Sequence, residues 1–424
     1  MKILLLGSGG RENALAWHIA KSQKLTSLFI APGNAGTEDF GKNVPLNITD
    51  FEEIKRFVVE NKIDMVVAGS EESLVKGIHD YFLADKMLKK TFVVGPCKNA
   101  ALLEGSKDFA KKFMSRYKIP TAEHATFSSP SILEGMEFLK TLPPPFVLKA
   151  DGLAAGKGVL IVNTLSEAIT ILKEMLGGKF GEASRKVVVE RYLEGMELSV
   201  FVATDGKNYK LLPSAKDYKR IGEGDSGLNT GGMGAISPVH FANKEFLQKV
   251  QERIVEPTLK GLQNEGILYQ GFLFLGLMNV KGNPYVIEYN VRLGDPETEV
   301  ILPLLKSDFL EMCEAIKNGT LDSYHLEIDS RVAATVMLVS RGYPKDYNSG
   351  KIVRHLEEVS DCYVFHAGTK KENNEIRTNG GRVFSITGVA PTLEEALQKC
   401  YKNAAIIDFD GKYYRRDIGF DLKK

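Results

Sequence analysis

The chain has 424 residues, 43% of them apolar, and its 55 basic and 54 acidic side chains leave a net charge of +1. That length fits about three domains, each able to bury a core, and the near-zero charge gives no electrostatic footprint for nucleic acid. No run approaches the roughly 18–20 apolar residues that cross a bilayer, and GSGGRE interrupts the opening apolar run too soon for a signal segment. The four cysteines (Cys97, Cys313, Cys362, Cys400) lie far apart, without Cys-x-x-Cys spacing. Reduced cytosolic thiols fit that spacing better than a disulfide framework or a zinc site. The expectation is a soluble cytoplasmic enzyme that binds neither nucleic acid nor membrane.

Over residues 1–100, KILLL, SLFIA, MVVAG and FVVG read as short buried strands. Between them ENALAWHIAKS, FEEIKRFVVENK and ESLVKGIHDYFLADKMLKK carry apolar residues at helical spacing. Alternation of this kind argues for a parallel, doubly wound sheet. From about 105 the pattern becomes α+β: KDFAKKFMSRYK is helical, PPPFVLKA and VLIV are strands, LSEAITILKEML is a helix and KVVVERYL a further strand. Residues 198–330 alternate strands and helices around the glycine-dense GEGDSGLNTGGMGA. After about 328, RVAATVMLV, CYVFHAGT and RVFSITGVA with one helix, LEEALQKCYKNAAII, read as a small β-rich domain.

The stretch LKADGLAAGKGVLIV at 148–162 has the look of a phosphate loop. A Walker loop needs G-x-x-x-x-G-K-[ST] feeding a helix. Here Gly152 to Gly156 is one residue too short, Gly158 stands where the hydroxyl belongs, and VLIV is strand-like. The segment therefore reads as a β-loop-β hairpin. It either closes over a triphosphate through backbone N–H groups and Lys157 or is an ordinary surface hairpin.

Three further segments carry chemistry. KVVVERYLEGMELSV bends with acids at Glu190, Glu194 and Glu197, which suits a nucleotide hinge or a solvated acidic turn. In NPYVIEYNVRLGDPETE, Glu288 and Asn290 stand at i, i+2 on a strand and face the same side. Such hard oxygens suit Mg²⁺ beside a phosphate site, and Arg292 continues the face as an anion fork. GSGGRE places Gly7-x-Gly9 between a strand and a helix, but Glu12 takes the third glycine position and no acid ends the second strand. That speaks against a dinucleotide and leaves a helix N-terminus able to accept a phosphate.

Taken together, the Lys149 strand, glycine lid, acidic bend and Glu288/Asn290 pair resemble the ATP-grasp fold. Arg292-Leu293-Gly294-Asp295-Pro296-Glu297-Thr298-Glu299 is similar to the signature of the phosphoribosylamine–glycine ligase family. So are GSGGRE (7–12), APGNAGT (31–37), LEGSK (103–107), KADGLAAGKGV (149–159), NTGGMGA (229–235), FHAGT (365–369) and TNGGRV (378–383). The resemblance implies a substrate-binding domain over 1–103, an ATP-grasp domain over 104–327 with its lid at about 121–190, and a β-rich domain over 328–424.

It also implies that Lys107 and Lys149 bind ATP phosphates under a lid running from Gly152 through Gly156 and Lys157 to Gly158. Glu190 and Leu193 would meet adenine, Glu197 the ribose, and Glu288 and Asn290 a Mg²⁺ or Mn²⁺ ion. Gly9, Gly10, Arg11, Asn34, Ala35, Gly36 and Thr37 would form the phosphoribosylamine pocket. Asp217, Arg292 and Asp295 would serve substrate and chemistry. Asn13 stands where the family pattern has His, Tyr218 replaces another His, and GSEES (69–73) replaces a GPExP-like turn.

The implied activity is ATP-dependent ligation of glycine to 5-phosphoribosylamine through an acyl phosphate, by a monomer or weak homodimer. Another ATP-grasp carboxylate–amine ligase is the alternative, with an NAD-dependent oxidoreductase and a non-catalytic nucleotide-binding module as readings of other classes.

Overall fold

The computed structural model describes residues 1–154 and 158–422. The first hundred residues build five strands, β1 (Lys2–Gly7), β2 (Ser27–Pro32), β3 (Lys42–Asn43), β4 (Met65–Ala68) and β5 (Phe92–Val94). Their order is β3-β2-β1-β4-β5, and every pairing is parallel. Ile3 to Leu6 are fully buried, which is why β1 reads as a continuous apolar run rather than an alternating one. Strand order reverses between β1 and β4, and sheets of this type bind ligands at the carboxyl ends of strands at such a point. The loops that open there are GSGG, entering the helix Gly10–Ile19, and GSEES, entering the helix Glu71–Lys76.

A small unit follows, built from β6 (His124–Ser128), β7 (Phe146–Ala150), β8 (Val159–Val162) and β9 (Lys186–Arg191), in the order β6-β9-β7-β8. Its core is its own, with Phe127, Leu139, Leu148, Leu172 and Val189 packed together. β7 and β8 pair antiparallel from Phe146 against Val162 to Lys149 against Val159. The glycine loop is therefore a hairpin, with no helix at its exit. The expected contacts at Gly156 and Lys157 fall outside the described residues.

Further along come β10 (Met196–Thr204), β11 (Tyr209–Leu211), β12 (Lys216–Asp217), the ribbon β13 (Arg220–Gly222) with β14 (Ser226–Asn229), β15 (Gly234–Ser237), β16 (Gly271–Val280) and β17 (Asn283–Asn290). A sheet of order β11-β10-β16-β17 forms the floor of the central domain. In β17 the register shifts opposite Gly276 and Leu277. That irregularity, next to Glu288, is the kind of kink that re-aims side chains beside a site.

The remaining strands are β18 (Val332–Val339), β19 (Tyr363–His366), the ribbon β20 (Thr369–Glu372) with β21 (Glu375–Thr378), and β22 (Arg382–Ala390). Here the sheet order is β12-β15-β18-β22-β19, so two of its five strands precede residue 328. One apolar core runs through Leu4, Leu275 and Ala334, which joins the first, central and last segments. Among the described residues no helix is long and apolar enough to cross a membrane.

This shared sheet makes the last segment a structural part of the central one. Cutting the chain after residue 327 would strip β18 from β15 and expose the edge that holds the buried Ala235 and Ile236. The truncated protein is expected to lose its cooperative thermal transition, as read by circular dichroism. A sharp transition at the full-length temperature would show the two parts to be independent.

Candidate active site

A deep cleft lies between the small unit, the central sheet and the loops of the first sheet. Lys107, Lys111, Glu190, Asp217, Lys219, Glu288, Asn290 and Arg292 all line it. Lys107 opens the helix Lys107–Arg116, and Lys111 lies one turn along the same face. Asp151, at the root of the glycine loop, accepts from Ser106 Oγ and from the Asp108 N–H, both at 2.8 Å. The lid and the Lys107 helix are thus tied at one point. The backbone approaches closely there, and a Cβ on Gly152 would stand 3.0 Å from the Ala183 Cα.

The cleft neutralises its own charge. Glu190 is buried between Lys111 and Lys149, with each Nζ 3.0 Å from its carboxylate. Burial works against its ionised form, and the two ammonium groups outweigh burial, so its pKa lies below the ordinary value. Burial lowers the Lys111 ammonium to about 8. Lys219 is bonded to Glu197 and lies 4.0 Å from Asp217. Arg292 donates to Glu104 at 2.8 Å and to Glu71 at 3.3 Å.

Glu288 is different. Among the described residues none is in ion-pair or hydrogen-bond contact with its carboxylate. Burial acts to raise its pKa, but the fields of Lys219, Lys107, Lys149 and Arg292 hold it below the usual carboxylate value. An ionised carboxylate with uncommitted oxygens, two residues from the amide oxygen of Asn290, fits a hard divalent cation that takes its other ligands from phosphate and water.

A second cavity opens where the first and last segments meet. It is lined by Ser8, Gly9 and Asn34 from one side and by Gly368, Thr369, Asn379 and Arg382 from the other. Asp295 lines both cavities. Its Oδ1 lies 2.9 Å from Arg382 Nη2, and its Oδ2 accepts from the Arg11 N–H at 3.3 Å. The glycines of FHAGT and TNGGRV allow two loops to touch, since a Cβ on Gly368 would lie 2.5 Å from the Gly380 Cα.

Models of three domains match in succession: the N domain of phosphoribosylglycinamide synthetase over residues 1–104, its ATP-grasp (A) domain over 105–298 and its C domain over 333–421. The chain belongs to the phosphoribosylglycinamide synthetase family. It is 45% identical over 427 aligned residues to phosphoribosylamine–glycine ligase of Chlorobaculum tepidum, with 99% of each chain covered. The crystal structure of the Thermotoga maritima phosphoribosylamine–glycine ligase superposes with a TM-score of 0.86 at 39% identity, covering 98% of this chain and 100% of that one. A biotin carboxylase domain from Hydrogenobacter thermophilus, solved with MgADP, shares the fold alone, with a TM-score of 0.73 at 17% identity over 97% of this chain and 91% of that one.

Within this synthetase framework the expected residues fall into two groups. Lys107, Gly158, Asp217, Glu288, Asn290, Arg292 and Asp295 line the first cleft, and Gly9 and Asn34 line the second. Lys149 lies behind the cleft wall, and its Nζ also donates to the Ile287 carbonyl at 3.3 Å. Leu193 is half-buried on the bend after β9, and Glu197 is taken up by Lys219.

The remaining pocket residues act from behind. The Arg11 guanidinium is turned to Glu12 (2.6 Å) and the Leu293 carbonyl (3.2 Å). Asn34 is a knot: its amide donates to the Ser8 carbonyl at 2.9 Å and the His366 carbonyl at 2.7 Å, and its oxygen accepts from Gly36 and Thr37. Thr37 Oγ1 in turn accepts from the Asn34 N–H at 2.8 Å. Gly10, Ala35, Gly36 and Thr37 thus shape the pocket wall rather than reach into the cavity.

Sequence reasoning passed over Glu71, Glu104, Lys111, Lys219 and Arg382. Two of these had a signal: Lys111 stands at i+4 from Lys107 on a helix, and Lys219 at i+2 from Asp217 on an extended strand.

The Glu190 pairing generates a stability prediction. Glu190→Gln removes the one carboxylate between two buried lysines, and such a loss typically costs about 3–5 kcal/mol. Chemical denaturation of the ligand-free variant should show a drop of that order. A drop under about 1 kcal/mol, within the range of exposed pairs, would mean that the lysines are not held by this contact.

Proposed function

We propose that this chain joins glycine to 5-phosphoribosylamine, using ATP and releasing glycinamide ribonucleotide, ADP and phosphate. The observation that carries the reading is the placement of Asp295 on the wall common to the two cavities. One cavity offers cations and metal-type oxygens for a nucleotide, and the other offers a glycine-lined loop at a helix N-terminus for a sugar phosphate. A ligase must bring an activated carboxylate from the first to an amine held in the second.

The chemistry balances with few demands on the protein. A carboxylate oxygen of glycine attacks the γ-phosphorus of ATP, giving glycyl phosphate and ADP. The amine of phosphoribosylamine attacks the glycyl carbonyl carbon, loses a proton and expels phosphate as the C–N bond forms. Phosphoryl transfer calls mainly for positioning and charge neutralisation. Lys107 would serve the ATP phosphates from within the cleft and Lys149 from behind its wall, Arg292 the transferred group, and Asp217 the glycine ammonium. Because the Glu190 carboxylate is committed to two lysines, adenine would read the backbone between 190 and 193, and Glu197 would release Lys219 to take the ribose. Glu288 and Asn290 would hold a divalent ion, Mg²⁺ or Mn²⁺, which when bound neutralises phosphate oxygens. Closure of the glycine hairpin would keep water from the acyl phosphate.

The test is ADP release with and without glycine and freshly prepared phosphoribosylamine. Release that needs neither substrate, or that needs a different acid, would reject the reading. Glu288→Gln and Asp295→Asn each remove a charge-assisted contact of about 1.5–3 kcal/mol, or roughly ten- to a hundredfold in rate. Glu288→Gln should raise the metal requirement, and Asp295→Asn should act on the second half-reaction, leaving glycyl phosphate to be trapped by hydroxylamine. Near-normal turnover in either variant would reject its assigned role.

A further inference from the structure

Asp217 and Lys219 both line the nucleotide cleft. They belong to an extended segment that starts at β12 and stays paired through Tyr218, whose N–H donates to the Gly234 carbonyl at 3.0 Å. Side chains alternate along such a segment, so Lys216 and Tyr218 face the other way. Both meet the same residue: Lys216 Nζ lies 3.1 Å from Asp421 Oδ2, and Tyr218 Oη donates to Asp421 Oδ1 at 2.8 Å.

The neighbouring residues are bound into the same arrangement. Arg415 is fully buried and forks onto Asp417 through two 2.8 Å bonds. It also donates to Asp225 at 2.7 Å and to the Arg220 carbonyl at 3.1 Å, and its guanidinium carbon stands 5.5 Å from the Tyr218 ring centre. Asp417 accepts from the Gly224 N–H at 2.7 Å, and Tyr413 Oη donates to the Ile221 carbonyl at 3.0 Å. Residues 413–421 thereby grip the back of the strand and the β13–β14 ribbon beyond it, about two hundred residues away in sequence.

We propose that the segment 413–421 is a positioning clasp for the glycine side of the site. Asp421, Tyr218 and Arg415 fix the back face of the strand whose front face presents Asp217 and Lys219 to the cleft. None of the three lines either cavity. The clasp resists rotation of the strand about its axis, which would carry Asp217 out of line without moving Lys107, Glu288 or the lid. Tyr218 belongs to it because a phenol reaches Asp421 while its ring lies against Arg415. The inference rests on the reading that Asp217 receives glycine.

Three full-length variants test it. Asp421→Ala removes both bonds, Asp421→Asn keeps an acceptor for Tyr218 but discharges the partner of Lys216, and Tyr218→Phe removes a single oxygen. Backbone hydrogen exchange across 213–222 is measured beside the KM values for glycine and ATP. Asp421→Ala should speed exchange in that peptide and raise the glycine KM about tenfold, the scale of one lost charge-assisted bond, with a smaller rise in the ATP KM through Lys219. Asp421→Asn and Tyr218→Phe should each produce part of the shift.

Should Asp421→Ala fail to fold, the two milder variants decide alone. Unchanged exchange in all variants overturns the clasp, and so does an equal rise of both KM values, which reports general loosening. Faster exchange in variants of a protein whose wild type shows no glycine-dependent ADP release upholds the clasp and overturns the functional reading instead.

Discussion

Lys111, Lys149, Lys219, Arg292 and Arg382 crowd around two adjoining cavities, and each has a carboxylate within ion-pair distance. That pairing is the constraint on which the rest of the structure depends. A site for a polyphosphate must concentrate cations, and a buried cation without a partner is costly enough to lose its proton or unfold its surroundings. The chain meets this with carboxylates drawn from distant segments. Glu71 comes from the start of the helix after β4, Glu104 from the helix before Lys107, Glu190 from the end of β9, and Asp295 from the loop after β17. Because the counter-ions belong to different segments, neutralising the cavities also sets how the segments sit against one another.

Net stability is not what these pairs add, since the desolvation of two charges roughly cancels their attraction. Their contribution is geometric. Glu190 is 4% exposed and bridges two ammonium groups at equal distance, so the two lysines are spaced before any ligand arrives. Phosphate oxygens entering the cleft would meet cations already arranged, and they would exchange for carboxylates rather than for bulk water. The arrangement is preorganised in the sense that matters for phosphoryl transfer, where positioning and charge do most of the work. Among the described residues Glu288 keeps its carboxylate oxygens uncommitted, and under the proposed reading it is where a metal rather than a lysine would sit.

Much of this architecture was legible from residue order. The parallel first sheet followed from unbroken apolar strands alternating with amphipathic helices, and the hairpin nature of the glycine loop followed from β-branched VLIV on its far side. Glu288 and Asn290 could be put on one face from strand periodicity alone. What escaped were the partners. Nothing near Arg292 in sequence announces Glu71 or Glu104, about two hundred residues earlier, and Arg382 meets Asp295 only because β22 joins a sheet that β12 and β15 begin. Periodicity reports which side of an element faces inward and is silent about what it meets there. For the same reason the sequence put Arg11 in the substrate pocket, whereas its guanidinium turns inward to Glu12 and the Leu293 carbonyl.

The three departures from the family pattern obey a common rule. Asn13 accepts from the His366 N–H at 3.1 Å across the seam between the first and last segments. Ser70 caps the helix that begins at Glu71, accepting from the Glu72 N–H. Tyr218 reaches Asp421. None of the three lines either cavity, and each has a partner: an amide oxygen for a backbone N–H, with the Asn13 amide nitrogen left buried and unpaired among the described residues, a hydroxyl for a helix start where proline would otherwise fix the turn, and a phenol for a carboxylate. What the ligands would meet is in large part glycine backbone and a few charged groups held by counter-ions, and none of that changes when the layer behind it does. A substitution in that layer is tolerated when its new bond fixes the same backbone. The substrate pocket can therefore keep its form while the residues that support it differ.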